Sequence, residues 1–139
     1  MTRDEILEAV KTLDLPQGEY IVFGSCPLAI AGLREAGDID MMVSQPLLEK
    51  LRQAGWQQVD KGHKDKPYTS GPFEAHTNWD FSSYSPSLET LLGGADVVEG
   101  VPFASLDEVR KWKAASGRPK DLLDIELIDD YLDKQKRAA

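Results

Sequence analysis

The 139-residue sequence has a single cysteine, Cys26, so no disulfide can form within the chain, which fits a reducing cytoplasm. No apolar run approaches the ~20 residues that cross a bilayer. The opening stretch, Met1-Thr2-Arg3-Asp4-Glu5, is polar and partly acidic, unlike a secretory signal. The two histidines, His63 and His76, stand far apart in sequence without cysteine company, which argues against a zinc site. Bases are scarce: 16 Lys and Arg face 24 Asp and Glu, a net charge of −8 that argues against bulk DNA as a partner. There is no internal repeat, linker or Ser/Gly tract, and 41% hydrophobic residues exclude a disordered tail. These absences predict a soluble, cytoplasmic protein of one domain (1–139) with no membrane partner.

What is present is a series of apolar segments with clear stops. Thr2 and Glu5 form a capping box ahead of Ile6, Val10 and Leu13 at helical spacing. Tyr20-Ile21-Val22-Phe23 predicts a buried strand ending at Gly24-Ser25. Pro27 suits the first turn of a helix carrying Leu28, Ile30 and Leu33. Ile39 to Val43 is the next strand. Ser44 and Pro46 open a helix with Leu47, Leu48 and Leu51 inward and Gly55 as its stop. Trp56 to Val59 predicts a short strand, Lys61 to Pro72 a flexible hairpin loop, and Phe73 to Trp79 an extended segment. Leu88 to Leu92 is a short helix, and Val97 to Phe103 a strand with a turn in it. Ser105 and Glu108 make a second capping box before Leu106, Val109 and Trp112, and Gly117 ends that helix. Pro119 begins a last helix with Leu122, Ile125, Ile128 and Leu132 on one stripe. The expected fold is α/β (α+β): a small mixed β-sheet flanked by helices, with a helical C-terminus.

The chemistry concentrates in two places. Asp38 and Asp40 are two apart in an extended segment, so they project to the same side while Ile39 faces the core. Carboxylates this close repel unless a cation lies between them, and hard oxygen ligands suit Mg²⁺. Gly24-Ser25 leads toward a helix N-terminus, whose free N–H groups favour phosphate. Together they describe a phosphate cradle beside a metal site. Charge is segregated further on: Arg110, Lys111, Lys113, Arg118 and Lys120 occur without an acid, and 121–133 then holds six acids without a base. Two readings of the basic block stay open, a solvated helix face or a cationic rim for a phosphate-bearing ligand. Arg34 is open between pairing with Glu35 and reaching a phosphate. Cys26 reads as structural, and Trp79, Phe81 and Tyr84 as loop packing, with stacking on a base or acceptor ring as the alternative.

Ile21-Val22-Phe23-Gly24-Ser25, followed by Asp38-Ile39-Asp40-Met41-Met42-Val43, resembles the nucleotidyltransferase fold of the DNA polymerase β superfamily. The resemblance is to its minimal bacterial branch, with toxin–antitoxin and antibiotic-modifying relatives. The run Gly117-Arg118-Pro119-Lys120-Asp121-Leu122-Leu123-Asp124-Ile125 is similar to a helical segment of the same family, and the likeness spans residues 18–132. It implies a third carboxylate on a later strand, carried over to Glu74 with Asp80 as the alternative. Glu74 and His76 share a face if that strand is regular.

The resemblance further implies transfer of an NMP group from a nucleoside triphosphate, such as ATP, to a hydroxyl of a small molecule, an RNA end or a protein, with release of pyrophosphate. Asp38, Asp40 and Glu74 would be the catalytic and metal-binding residues, holding two Mg²⁺ ions about 3.5–4 Å apart. Gly24 and Ser25 would meet the phosphates, and Lys113, Arg118 and Lys120 would neutralise charge on the triphosphate or the leaving pyrophosphate. The competing expectations are a catalytically weak nucleotide-binding or partner-binding module, such as a toxin–antitoxin component, and a phosphotransferase using the same metals. A helical protein partner or a second copy of the chain would be the expected associate.

Overall fold

The computed structural model describes residues 1–62 and 65–138; His63 lies outside the described residues. Helix α1 (Arg3–Leu13) begins with the expected capping box, Thr2 Oγ1 accepting from Glu5 N and Thr2 N donating to Glu5 Oε1. Strand β1 (Tyr20–Phe23) follows, then α2 (Cys26–Ile30), β2 (Ile39–Val43) and α3 (Gln45–Gln53). The Ser44 hydroxyl caps α3 by accepting from Leu47 N at 3.2 Å. Next come β3 (Gln57–Gln58), β4 (Tyr68–Ser70), β5 (Phe73–His76) and α4 (Leu88–Gly93). The chain closes with β6 (Asp96–Val98), β7 (Val101–Phe103), α5 (Leu106–Ser116) and α6 (Pro119–Ala138). This is a mixed α/β architecture with a helical C-terminus. Among the described residues, no helix is long and apolar enough to cross a membrane.

The strands form one seven-stranded mixed sheet in the order β3-β4-β5-β2-β1-β7-β6. The β2–β5 and β1–β7 pairs are parallel and the other four are antiparallel. Both faces of its centre are covered, so all four residues of β1 are buried. On one face Tyr20, Val22, Ile39, Met41 and Ala75 pack with Ile6 and Val10 of α1 and Leu47 and Leu51 of α3. On the other, Ile21, Phe23 and Met42 pack with Trp79, Leu91 of α4, Leu106 and Val109 of α5, and Ile128 of α6.

Four sequence expectations change. The polar stretch 61–72 was expected as a loop, yet it contains β4, which pairs with both β3 and β5. Its backbone groups are satisfied by ladder bonds that a polar sequence does not announce. The strand expected over 56–59 shortens to β3, because Trp56 leaves solvent to pack on Phe73 at 5.8 Å between centroids. The second capping box closes only on one side. Ser105 Oγ accepts from Glu108 N, while the Glu108 carboxylate turns to the Tyr84 hydroxyl at 2.7 Å and Lys111 at 3.0 Å. Finally, α6 buries Asp121, Asp124 and Ile128, and leaves Leu122 exposed with Leu123 and Leu127.

Candidate metal centre

The site begins with the register of β2 and β5. Asp40 lies opposite Glu74, and Met42 opposite His76, in a parallel pair. Residues two apart share a face, so Asp40, Glu74 and His76 all project from the face that carries Phe23 and Met42. A carboxylate oxygen from Asp40, one from Glu74 and a ring nitrogen of His76 lie within 4.8 Å of one another. All three residues are half-buried, at the margin of the second core.

Gly24 makes room for this cluster. It holds φ +68°, and a Cβ placed on it would sit 2.5 Å from Asp40 Oδ2. The residue must be glycine twice over, for its left-handed backbone and for the close approach of the carboxylate.

His76 is held from several sides. Its Nε2 lies 3.7 Å from Asp40 Oδ1, and its Nδ1 lies 3.5 Å from Asp65 Oδ1. Nε2 is buried with no hydrogen-bond partner among the described residues. The ring stands edge-on to Trp79 at 4.7 Å, and Trp79 in turn packs on Phe23 at 4.8 Å and Trp112 at 5.3 Å. Trp79 is therefore core, as loop packing implied, whereas Phe81 is exposed and the Tyr84 hydroxyl is engaged by Glu108. Burial and the neighbouring Glu108 push the Tyr84 phenol well up. Glu74 also carries an ion pair with Lys61.

Other expected site residues fall elsewhere. Asp38 is exposed, one residue before β2, and its donor atoms are not among the converging three. The ladder starts at Ile39, whose N–H donates to Pro72 O, so no strand partner fixes Asp38 beside Asp40. Its carbonyl instead accepts from the Cys26 thiol at 3.3 Å. Cys26 is fully buried, and that burial, with Asp40 adding to it, pushes the thiol up to about 12, in keeping with a structural residue. Asp80 accepts from Ser85 Oγ and is outside the cluster.

The basic block is drawn into an ion-pair network. Lys113 is only 2% exposed, with Nζ 2.9 Å from Asp124 Oδ2 and 3.5 Å from Asp121 Oδ1. Arg118 pairs with Asp121, and Arg110 with Asp129. Arg34 bonds both oxygens of Asp124 at 2.7 and 2.8 Å, donates to the Glu35 carbonyl, and reaches Ser25 Oγ at 2.8 Å. Burial pushes the Asp124 carboxyl up, but hydrogen bonds from Arg34 and Lys113 outweigh it and hold it below the usual range. Asp121 is likewise raised by burial, and more strongly lowered by Arg118, Ser116 and Lys113. Lys120 is exposed and enters none of these pairs.

The donor set fits a divalent cation. Two carboxylates supply hard oxygens of the kind Mg²⁺ takes, and His76 adds a nitrogen that sequence spacing alone gave no reason to include. The only sequence signal for it was Glu74-x-His76 on one strand face. Two surface clefts, one beside α1 and Glu99 and one between α2 and α6, include none of the three residues. Comparison with protein-family models, curated proteins and solved structures found no match to this chain.

Proposed function

We propose that the chain is a metal-dependent nucleotidyltransferase moving an NMP group from a nucleoside triphosphate to a hydroxyl, with release of pyrophosphate. The observation that carries this reading is the convergence of Asp40 and Glu74 on adjacent parallel strands, one residue-pair from the Gly24 turn. The bound cation would neutralise triphosphate charge and polarise the phosphoryl group under attack. Asp40 and Glu74 would hold it, and the exposed Asp38 would join them when nucleotide is present. Gly24, at φ +68° and without a side chain, lets phosphate approach the backbone, and Ser25 offers its hydroxyl beside it. Arg118 and Lys120 remain the exposed cations for the phosphates. Lys113, buried between two aspartates, acts by holding α5 to α6.

A second reading, a catalytically weak binding module of the same kind, is favoured by the occupied side chains: Lys61 on Glu74 and Arg34 on Ser25. Calorimetric titration of ATP, GTP, CTP and UTP, with and without Mg²⁺ or Mn²⁺, tests the first. Binding that requires both cation and Asp40, and is lost in Asp40→Asn, is the expected result. Equal binding by Asp40→Asn, or none by the wild type, overturns it. Product analysis then separates pyrophosphate release from the nucleoside diphosphate of a phosphotransferase and from the silent module.

A further inference from the structure

We propose that His76 is the third ligand beside Asp40 and Glu74, and that this site selects a first-row transition cation, Mn²⁺ or Zn²⁺, over Mg²⁺. The inference deepens the metal-site part of the reading above. Its first support is geometric. One ligand atom from each of the three residues falls within 4.8 Å of the others, a spacing that a single ion can bridge. The residues come from the adjacent parallel strands β2 and β5, paired over four residues, so the site rests on a firmly paired part of the sheet.

The second support is the state of the imidazole. Nε2 is buried without a hydrogen-bond partner among the described residues, at 3.7 Å from Asp40 Oδ1. A buried polar atom normally finds a partner, so one left unpaired beside two carboxylates marks a place for a ligand. Nδ1 meanwhile faces the Asp65 carboxylate at 3.5 Å. A carboxylate behind one ring nitrogen, leaving the other toward the metal, is the side from which a ligating histidine is commonly oriented. Trp79, edge-on at 4.7 Å, keeps the ring from turning away.

The third support is chemical. Mg²⁺ prefers an all-oxygen octahedral shell and sheds its waters reluctantly, whereas imidazole favours transition cations. Two oxygens and one nitrogen therefore tilt the preference toward Zn²⁺ and Mn²⁺, with remaining positions open to water or substrate. Lys61 supplies positive charge at Glu74 when no ion is bound, and a divalent cation at Glu74 would displace it.

The test is direct cation binding by the full chain. MnCl₂, ZnCl₂ and MgCl₂ are titrated into the wild type, His76→Gln and Asp40→Asn by calorimetry, with circular dichroism to check folding. The wild type is expected to bind one Mn²⁺ or Zn²⁺ more tightly than Mg²⁺. His76→Gln should lose about tenfold or more for these ions and keep its weak Mg²⁺ binding. Pulsed EPR of the Mn²⁺-loaded wild type, which needs no variant of His76, should show a directly bound imidazole nitrogen. His63→Gln controls for the second histidine and should keep that signal. Absence of nitrogen coupling, or unchanged selectivity in His76→Gln, overturns the proposal. Nucleotide binding that still depends on Asp40 would then leave the nucleotidyltransferase reading standing. Selective Mn²⁺ or Zn²⁺ binding through His76 without nucleotide binding supports the proposal and removes that reading.

Discussion

At the scale of single residues, Gly24 and Lys113 make opposite demands. Gly24→Ala adds one methyl group where Asp40 Oδ2 would lie 2.5 Å away, on a backbone at φ +68°. The left-handed conformation alone costs an L-residue about 1–2 kcal/mol. Urea denaturation should report at least that loss, and calorimetry a weaker cation site, because the displaced group is a proposed ligand. Lys113→Met removes the one ammonium that lies between Asp121 and Asp124, all three of them buried. Breaking a buried pair from one side costs about 3–5 kcal/mol, and with Arg118 still on Asp121 and Arg34 on Asp124 the loss should lie at the low end of that range. Thermal denaturation should show Lys113→Met strongly destabilised. A Lys113→Met protein as stable as the wild type would contradict the structural role and return the wild-type amine to the phosphate role that its sequence context suggested.

At the scale of elements, α6 carries the most instructive displacement. Leu122, Ile125, Ile128 and Leu132 make a plausible apolar stripe, but the helix is rotated so that Asp121, Asp124 and Ile128 face inward. Ion pairs to Lys113, Arg118 and Arg34 set that rotation, and two leucines of the first turns stay in water. Ile128, fully buried among Phe23, Leu28 and Val109, is the anchor of the apolar half. Truncating a core isoleucine costs about 2–5 kcal/mol, so Ile128→Ala should lower the urea midpoint markedly. Leu123→Ser, at a position 63% exposed, should move stability by no more than about 0.5 kcal/mol. Equal effects of the two substitutions would contradict the rotation.

At the scale of the molecule, the network joining α2, α5 and α6 ties stability to acid. Asp121 and Asp124 have carboxyl pKa values below their unfolded ones, net of the burial that opposes the lowering. Such groups contribute stability that is fully present above the unfolded carboxylate range, near about 3.9, and lost as pH falls through the lower folded value. The urea midpoint should therefore be insensitive to these two groups from neutral pH down to about pH 5, and drop below about pH 4. Asp124→Asn should start lower and show a shallower acid step. The sheet takes part in the same design. Arg34, in the segment between α2 and β2, grips Asp124 of α6 ninety residues later, which closes the chain over the face that carries Asp40, Glu74 and His76.

Much of this was legible locally. The Thr2–Glu5 box, Pro27 in the first turn of α2, the Ser44 cap and the αL Gly117 are short-range devices, and each formed where its residues stand. The alternation Ile39-Asp40-Met41 already separated a core face from a chemical one, and Glu74-x-His76 held the same period. Strand order, by contrast, depends on which apolar edges meet across long loops: Gly71-Pro72 turns β4 directly onto β5, but no local pattern encodes that β5 lies beside β2. That pairing, and nothing nearer in sequence, brings Asp40 to Glu74 and His76 and leaves Asp38 outside the ladder. A block of bases likewise cannot declare its partners: Lys113 finds Asp121 and Asp124 only when two helices fold back on each other, and burial then ties its charge to theirs. Sequence determined the capped helices and the buried central strands, because caps, turns and periodicity act within a few residues. Tertiary structure decided the site, because ligands and ion pairs are matters of distance in space.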